Sequence, residues 1–237
     1  LSIENSLYTT INLEGTNKIT NTGEEGSTIY SQCGNLVISN LLFDASTDQK
    51  NFRAAHLRIG SKTTFDHCTF DGVRRSASSD AGHAVLADNN TELVIFDNCV
   101  LKDCGSSNNQ YAIDSLANEF QFLDSKITYT NKQGSYCAGI MIKKFSKLSL
   151  IGSTFEKITA SSGFGGGLCY NGKDGSKLDC FVTITGCTFD DINAFNGRAI
   201  FMRLARPCSF SNCTIKNMKN GNYIVTIGHE AQQTGQS

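Results

Sequence analysis

Asp190 and Asp191 stand side by side in the stretch ITGCTFDDINAFNGRAIFM, Ile184 to Met202, with Arg198 and Arg203 a short way on. Two carboxylates are what general acid–base chemistry uses, one donating a proton and one accepting it, and Arg198 or Arg203 is suited to hold a substrate carboxylate. Glu156 occupies the matching place one repeat earlier, so Glu156, Asp190 and Asp191 are also a candidate oxygen site for calcium, although the calcium-binding nonapeptide repeat is absent. Adjacent residues of a strand project to opposite faces. The two aspartates are therefore expected to point in different directions, with Asp190 and its counterparts turned to solvent.

Ten cysteines are spread along the chain without a CxxC pair, which speaks against a zinc site and for an oxidising, extracellular or cell-surface setting with some disulfides. Cys169 with Cys180, and Cys180 with Cys208, are the candidate bridges. Asn89-Asn90-Thr91 and Asn212-Cys213-Thr214 are candidate glycosylation sites of a secreted glycoprotein. His56, His67, His83 and His229 show no mutual spacing that suggests a metal or a triad. GFGGG from Gly163 and NGKDG from Asn171 lack the strand, spacing and helix of a phosphate loop and read as tight turns.

The elements that must position these residues come from a repeat. A large apolar residue is followed three positions on by a small or thiol residue, then after two more by another large one. It reads ISNLLF from Ile38, FDHCTF from Phe65, FDNCVL from Phe96, FLDSKI from Phe122, LIGSTF from Leu150, ITGCTF from Ile184 and FSNCTI from Phe210, at intervals of about 26 to 34 residues. A second phrase follows each, including RAAHLRIG from Arg53, GHAVLADN from Gly82, AGIMI from Ala138, GGGLCYNG from Gly165 and GRAIFM from Gly197. Val73, Cys104, Thr130, Ile158, Ile192 and Met218 are inward candidates three past the second anchor.

Each unit thus offers short strands rich in Ile, Val, Phe and Thr between turns of Gly, Asn, Asp and Ser, and no amphipathic helical period. One unit cannot bury its apolar face alone, but stacked coils form a continuous core. The fold class expected is all-β: a right-handed, single-stranded parallel β-helix of about seven to eight coils over residues 1–237. Residues 161–180 are expected to loop out, and residues 229–237 to form a tail.

Stacking makes Cys68, Cys99, Ser125, Ser153, Cys187 and Cys213 an internal ladder of small polarizable side chains. Asp44, Asp71, Glu156 and Asp190, with Lys102, Thr128 and Lys216, form an outward column beside it.

The chain has 237 residues, 39% hydrophobic and 18% charged, enough to bury a core. Its net charge of -1, without blocks of like charge, argues against a nucleic-acid or anionic-membrane surface. Apolar runs such as Leu93 to Phe96 fall far short of the roughly 18 residues of a membrane span, so no membrane insertion is expected of this segment. The polar opening LSIENSLYTT reads as the start of a processed chain or of a segment from a longer one.

These repeats resemble the right-handed β-helices of the pectate-lyase-like superfamily. More narrowly, GRAIF, GHAVL and GGGLC resemble the GGA[I/L/V] phrase, and FDHC, FDNC and FSNC the FxxN phrase, of polymorphic outer-membrane proteins (Pmp) and related surface repeats, with Cys in place of the Asn. The resemblance covers roughly residues 38–228 and implies fold before function. It implies an extracellular scaffold or adhesion module at the cell surface, without a cofactor unless calcium binds, open to self-association end to end. Its partners would be carbohydrate, a surface protein or copies of itself. The superfamily also implies an alternative, a polysaccharide lyase or glycoside hydrolase acting on an acidic polysaccharide, with Asp190, Asp191 and Arg198 as its catalytic candidates. No NTD, HG or RIK phrase of a polygalacturonase-like site is present.

Overall fold

The computed structural model describes residues 2–3, 10–15, 18–20, 26–32, 34–45, 52–58, 60–73, 84–105, 111–128, 131–132, 139–143, 147–170, 181–196, 199–202, 208–219 and 224–227. Among them there is no helix, and every strand pairing is parallel to a strand of the preceding or following coil. One coil shows the plan: Val85–Ala87 lies in a first sheet, Leu93–Asp97 in a second and Val100–Lys102 in a third. The next coil repeats it with Ile113–Ser115, Glu119–Leu123 and Lys126–Thr128. The first sheet collects nine strands, the second eight, and the third eight in one continuous order. This is the expected parallel β-solenoid.

Register is the reason the repeat exists. Ile38, Phe65, Phe96, Phe122, Leu150 and Ile184 pair in sequence along the second sheet and are all buried. Phe43, Phe70, Leu101, Ile127, Phe155 and Phe189 do the same along the third. Phenyl rings of neighbouring coils stack at 4.9 Å between centroids for Phe43 and Phe70, Phe65 and Phe96, and Phe155 and Phe189. That is close to the spacing of hydrogen-bonded strands, so one geometry satisfies backbone and core together.

Two corners carry the chain from sheet to sheet. At the first, Asn40, His67, Asn98, Asp124, Gly152, Gly186 and Asn212 all have positive φ, from 44° to 66°. At the second, Gly72, Asp103, Lys157, Asp191 and Asn217 do likewise. Left-handed backbone is tolerated best by Gly, Asn and Asp, which explains why DH, DN, LD, IG, TG and SN precede the small residue in each copy of the phrase. The inward candidates Val73, Cys104, Ile158 and Ile192 follow the second corner and are buried, Met218 is half-buried, and Thr130 lies outside the described residues.

A third constraint acts where the chain enters the first sheet. Ala54, Ala84, Ala112, Gly139, Gly167 and Ala199 occupy that place, and each amide bonds a carbonyl of the next coil, as in Ala112 N to Gly139 O at 3.0 Å. A Cβ at Gly139 would lie 2.2 Å from the Gly167 carbonyl oxygen. The small residues of the second phrase are thus set by backbone approach.

Residues 161–180 do not form a single excursion. The strand Thr154–Phe164 runs on beyond its corner, Leu168–Tyr170 is a regular strand of the first sheet, and only residues 171–180 lie outside the described chain. The long third-sheet strand is prolonged because Ile158 to Ala160 keep register with Ile192 to Ala194 in the next coil. The expected tail at 229–237 also lies outside the described residues.

Replacing Gly139 by Ala should lower stability by about 1–3 kcal/mol, because backbone must move to admit the methyl group. At Gly186, where a Cβ would meet only ordinary contacts but φ is +66°, Val should cost about 1–2 kcal/mol and Asn much less. Denaturant midpoints of the three variants check both.

Candidate functional site

Asp190 lies on the third sheet in register with Glu156 below and Lys216 above. Its carboxylate accepts from Asn217 Nδ2 at 2.8 Å and sits 3.4 Å from Lys216 Nζ. The Asn217 hydrogen bond, with Lys216, holds its carboxyl below the usual range. Asp191 is a left-handed corner residue, 2.5 Å from Lys219 Nζ. The two aspartates thus serve separate positions of the coil, each with its own lysine. Arg198 and Arg203 lie outside the described residues. Glu156 is 2.8 Å from Lys126 Nζ and accepts from Thr128 Oγ1 at 3.0 Å, which lowers its carboxyl too. Each of the three carboxylates thus has a lysine ammonium within 3.4 Å. Among the described residues no group of three or more His, Cys, Asp or Glu is arranged to hold a metal ion.

The same pattern extends down the outward column. Asp44 pairs with Lys18, and Asp71 lies 3.1 Å from Lys102 Nζ. On the second sheet Lys62 meets Glu92 at 3.0 Å and Lys147 meets Glu119 at 3.7 Å. Each exposed pair adds little stability singly, but opposite charges in adjacent coils favour the native register over a slipped one.

The small-residue ladder sits just inside the first corner. Cys68, Cys99, Ser125, Ser153 and Cys187 are buried and Cys213 is half-buried. These side chains are more than space fillers. Cys99 Sγ donates to Phe65 O in the coil below and to Asp97 O in its own, each at 3.3 Å. Ser153 Oγ donates toward Phe122 O and Ile151 O, both at 2.9 Å, and accepts from Ser125 N at 3.2 Å. The ladder ties coils together by adding a second hydrogen bond at corner carbonyls that already accept from a backbone amide, as Asp97 O does from His67 N at 2.9 Å and Ile151 O from Asp124 N at 2.9 Å.

The expected disulfides are not seen. Cys169 and Cys208 carry free thiols, and their suggested partner Cys180 lies outside the described residues. Cys169 is on the first sheet and Cys208 opens a strand of the second, so the two belong to different faces. Asn89 and Asn212 are both exposed at turns. Their sequons also have local uses: Thr91 is buried with its hydroxyl donating to Leu57 O at 3.2 Å, and Asn212-Cys213 is a corner with its ladder residue.

Among the described residues, a further cluster of polar side chains lies on the outer face of the first sheet, where the sequence carries no motif. Tyr30, His56, Leu86, Asp114, Met141, Cys169 and Phe201 follow one another there coil by coil. His56 Nε2 is 2.8 Å from Asp88 Oδ2, Arg58 Nε is 3.3 Å from the same oxygen, and Arg58 Nη1 donates to Tyr30 Oη at 2.6 Å. The Tyr30 and His56 rings meet edge to face at 5.5 Å. Burial pushes His56 below the ordinary histidine value, against the pull of Asp88 and with help from Arg53 and Arg58. Further along, the buried Asp114 carboxylate accepts from Lys143 Nζ at 2.5 Å, with Lys143 also 5.8 Å from the Tyr111 ring centre. Met141, Cys169 and Phe201 form a separate outer apolar cluster against Tyr111.

The one sequence signal for the histidine site is the offset of 32 residues between His56 and Asp88, which is about one coil. His67 is an exposed corner residue bonded to Asp66, and His83 and His229 lie outside the described residues.

Three parallel sheets wound from one chain, with a stacked core and laddered faces, define a β-solenoid protein. The model of the right-handed β-helix region family matches residues 53–234, and the chain belongs to that family. Comparison with curated proteins and with solved structures produced no match.

Two outcomes are expected of the site chemistry. The Cys68 hydrogen bond and burial push the Cys99 thiol up, and burial raises Cys187 to about 11, so at pH 8 these two thiols should resist DTNB until denaturant is added. A rapid reaction of Cys187 in the folded protein contradicts this. The depressed carboxyls of Glu156 and Asp190 contribute stability that is present above the ordinary carboxylate range and lost as pH falls through their lowered values. Glu156→Gln should therefore flatten the acid limb of a pH–melting curve.

Proposed function

We propose that this chain is a length of rigid extracellular scaffold whose outer faces serve adhesion at a cell surface, within a longer protein. The observation that carries this reading is the state of the carboxylates nominated for catalysis. Asp190 and Asp191 stand at different positions of the coil, and each is neutralised by a lysine of the following coil. A general acid requires a carboxyl that retains its proton near neutral pH, and Asp190 is shifted the other way. What remains is a stack whose interior is continuous and whose surface is a regular array of side chains, the properties of a spacer and a docking surface.

The likeness to Pmp repeats belongs to this proposal. The phrases that carry it are the small entry to the first sheet and the first corner, both dictated by coil geometry, so they support a shared architecture and, through it, a surface role. Self-association has its own support. Phe210 and Ile224 are exposed, and Cys213, Ile215 and Met218 are half-buried, although they continue columns that bury Ile184, Ala199, Cys187, Phe189 and Ile192 in the coil before. A further rung, from this protein or another copy, would cover them.

The test is a panel of acidic and neutral polysaccharides, with and without calcium, scored for binding and for release of new chain ends. Binding without release is expected. Release that disappears in Asp190→Asn or Asp191→Asn would make the protein a lyase or hydrolase instead. Sedimentation across concentrations should reveal self-association that Phe210→Lys weakens, and a strictly monomeric protein at high concentration would remove the end-to-end component.

A further inference from the structure

We propose that His56, Asp88 and Arg58, on the outer face of the first sheet, form a binding site for the hydroxyl groups of a neutral saccharide. This rests on the reading of the chain as an adhesion module and specifies where and what it binds.

The argument starts from the hydrogen-bonding capacity left over in the cluster. A carboxylate only accepts, so the 2.8 Å contact to Asp88 Oδ2 places the histidine proton on Nε2 and leaves Nδ1 with a lone pair. Asp88 Oδ1 makes no hydrogen bond among the described residues, and Arg58 donates from Nη1 to Tyr30 while its buried Nε makes only an ion-pair contact with Asp88, which leaves Nη2 as a donor. The side chains of His56, Arg58 and Asp88 are 21%, 38% and 34% exposed, so these groups are reachable from solvent. Two acceptors and one donor group are thus held together on the strand ends of two adjacent coils.

An anionic ligand brings only acceptors. It would face the lone pairs of Asp88 and His56, while the Arg58 charge is already countered by Asp88. Hydroxyl groups both donate and accept, so neighbouring hydroxyls can give hydrogens to His56 Nδ1 and Asp88 Oδ1 and take one from Arg58. Leu86 stands beside His56 in the next coil, half-buried, and offers an apolar surface for the C–H face of a sugar ring.

The positions are pre-organised. Arg58 is clamped between Tyr30 Oη and Asp88, with its guanidinium carbon 5.7 Å from the Tyr30 ring centre, and Arg58 N bonds Ser31 O at 2.9 Å. Asp88 N bonds Leu57 O at 2.8 Å. Rigid placement of polar groups reduces the ordering cost of binding.

The groups facing His56 are Asp88, Arg53, Arg58 and Tyr30. Burial lowers the proton affinity of the ring and so favours its neutral form, and protonation at lower pH turns Nδ1 from acceptor to donor. Saccharide binding should then weaken as pH falls through the histidine titration.

The experiment is titration of the whole chain with cellohexaose, mannohexaose and maltohexaose, and with hexagalacturonate as the acidic counterpart. Binding is followed by calorimetry and by the ring ¹⁵N shifts of His56. A neutral hexasaccharide should bind and shift the His56 Nδ1 resonance. Affinity should fall tenfold or more in Asp88→Asn and in His56→Phe, whereas His56→Gln, which keeps an acceptor, should lose less. Melting curves establish that the variants are folded, and the pH series on the unsubstituted protein tests the site without any substitution. Preference for hexagalacturonate, binding indifferent to both substitutions and to pH, or no neutral binding at all overturns the inference. In the second case the chain still binds saccharide and the adhesion reading stands; in the third, that reading is judged by surface docking and self-association alone.

Discussion

Everything in this structure depends on the parallel ladder between coils. Hydrogen-bonded strands stand a little under 5 Å apart, so whatever side chain one coil turns inward has a counterpart at that distance above and below. Aliphatic and phenyl groups fit that spacing, as the stacked Phe43–Phe70 and Phe155–Phe189 pairs demonstrate. The corners must then be cheap to repeat. A left-handed residue followed by a small hydroxyl or thiol meets that need, since the small side chain adds a hydrogen bond at carbonyls near the corner.

The ladder orders the surface as well as the interior. Outward residues are also brought into register, so Asp71 meets Lys102 and Asp190 meets Lys216, although each pair is a whole coil apart in sequence. On the third sheet this pairs each of the two aspartates with a lysine. On the first sheet a histidine, a carboxylate and an arginine share one patch with hydrogen-bonding capacity to spare. The same mechanical rule thus gives the two faces different patterns of charge and hydrogen bonding.

Some candidate signals also have structural places in the coil. The DD of Asp190-Asp191 combines an outward strand residue with a corner residue, and the sequon at Asn212 coincides with a corner and its ladder thiol. Such coincidences arise because a coil uses Asn, Asp, Gly, Ser and Cys for geometry, and these are also the residues of catalytic and modification motifs.

The sequence by itself determined the architecture: alternation within short strands, turns of Gly, Asn, Asp and Ser between them, and the small entry residues at Ala84, Ala112 and Gly139 are local requirements visible in one dimension, whereas the left-handed backbone at Asn40, His67 and Asn98 appeared only in the structure. Membership of the ladder at Cys68, Cys99, Ser125, Ser153 and Cys187 was legible for the same reason, and so was the outward column. The hydrogen bonds of that ladder, the lysine partners of Asp190 and Asp191, and the meeting of His56 with Asp88 were decided only by tertiary structure. Coil lengths vary as turns take in extra residues, so no fixed offset identifies which side chains will face each other across a rung; the backbone ladder alone brings them into contact.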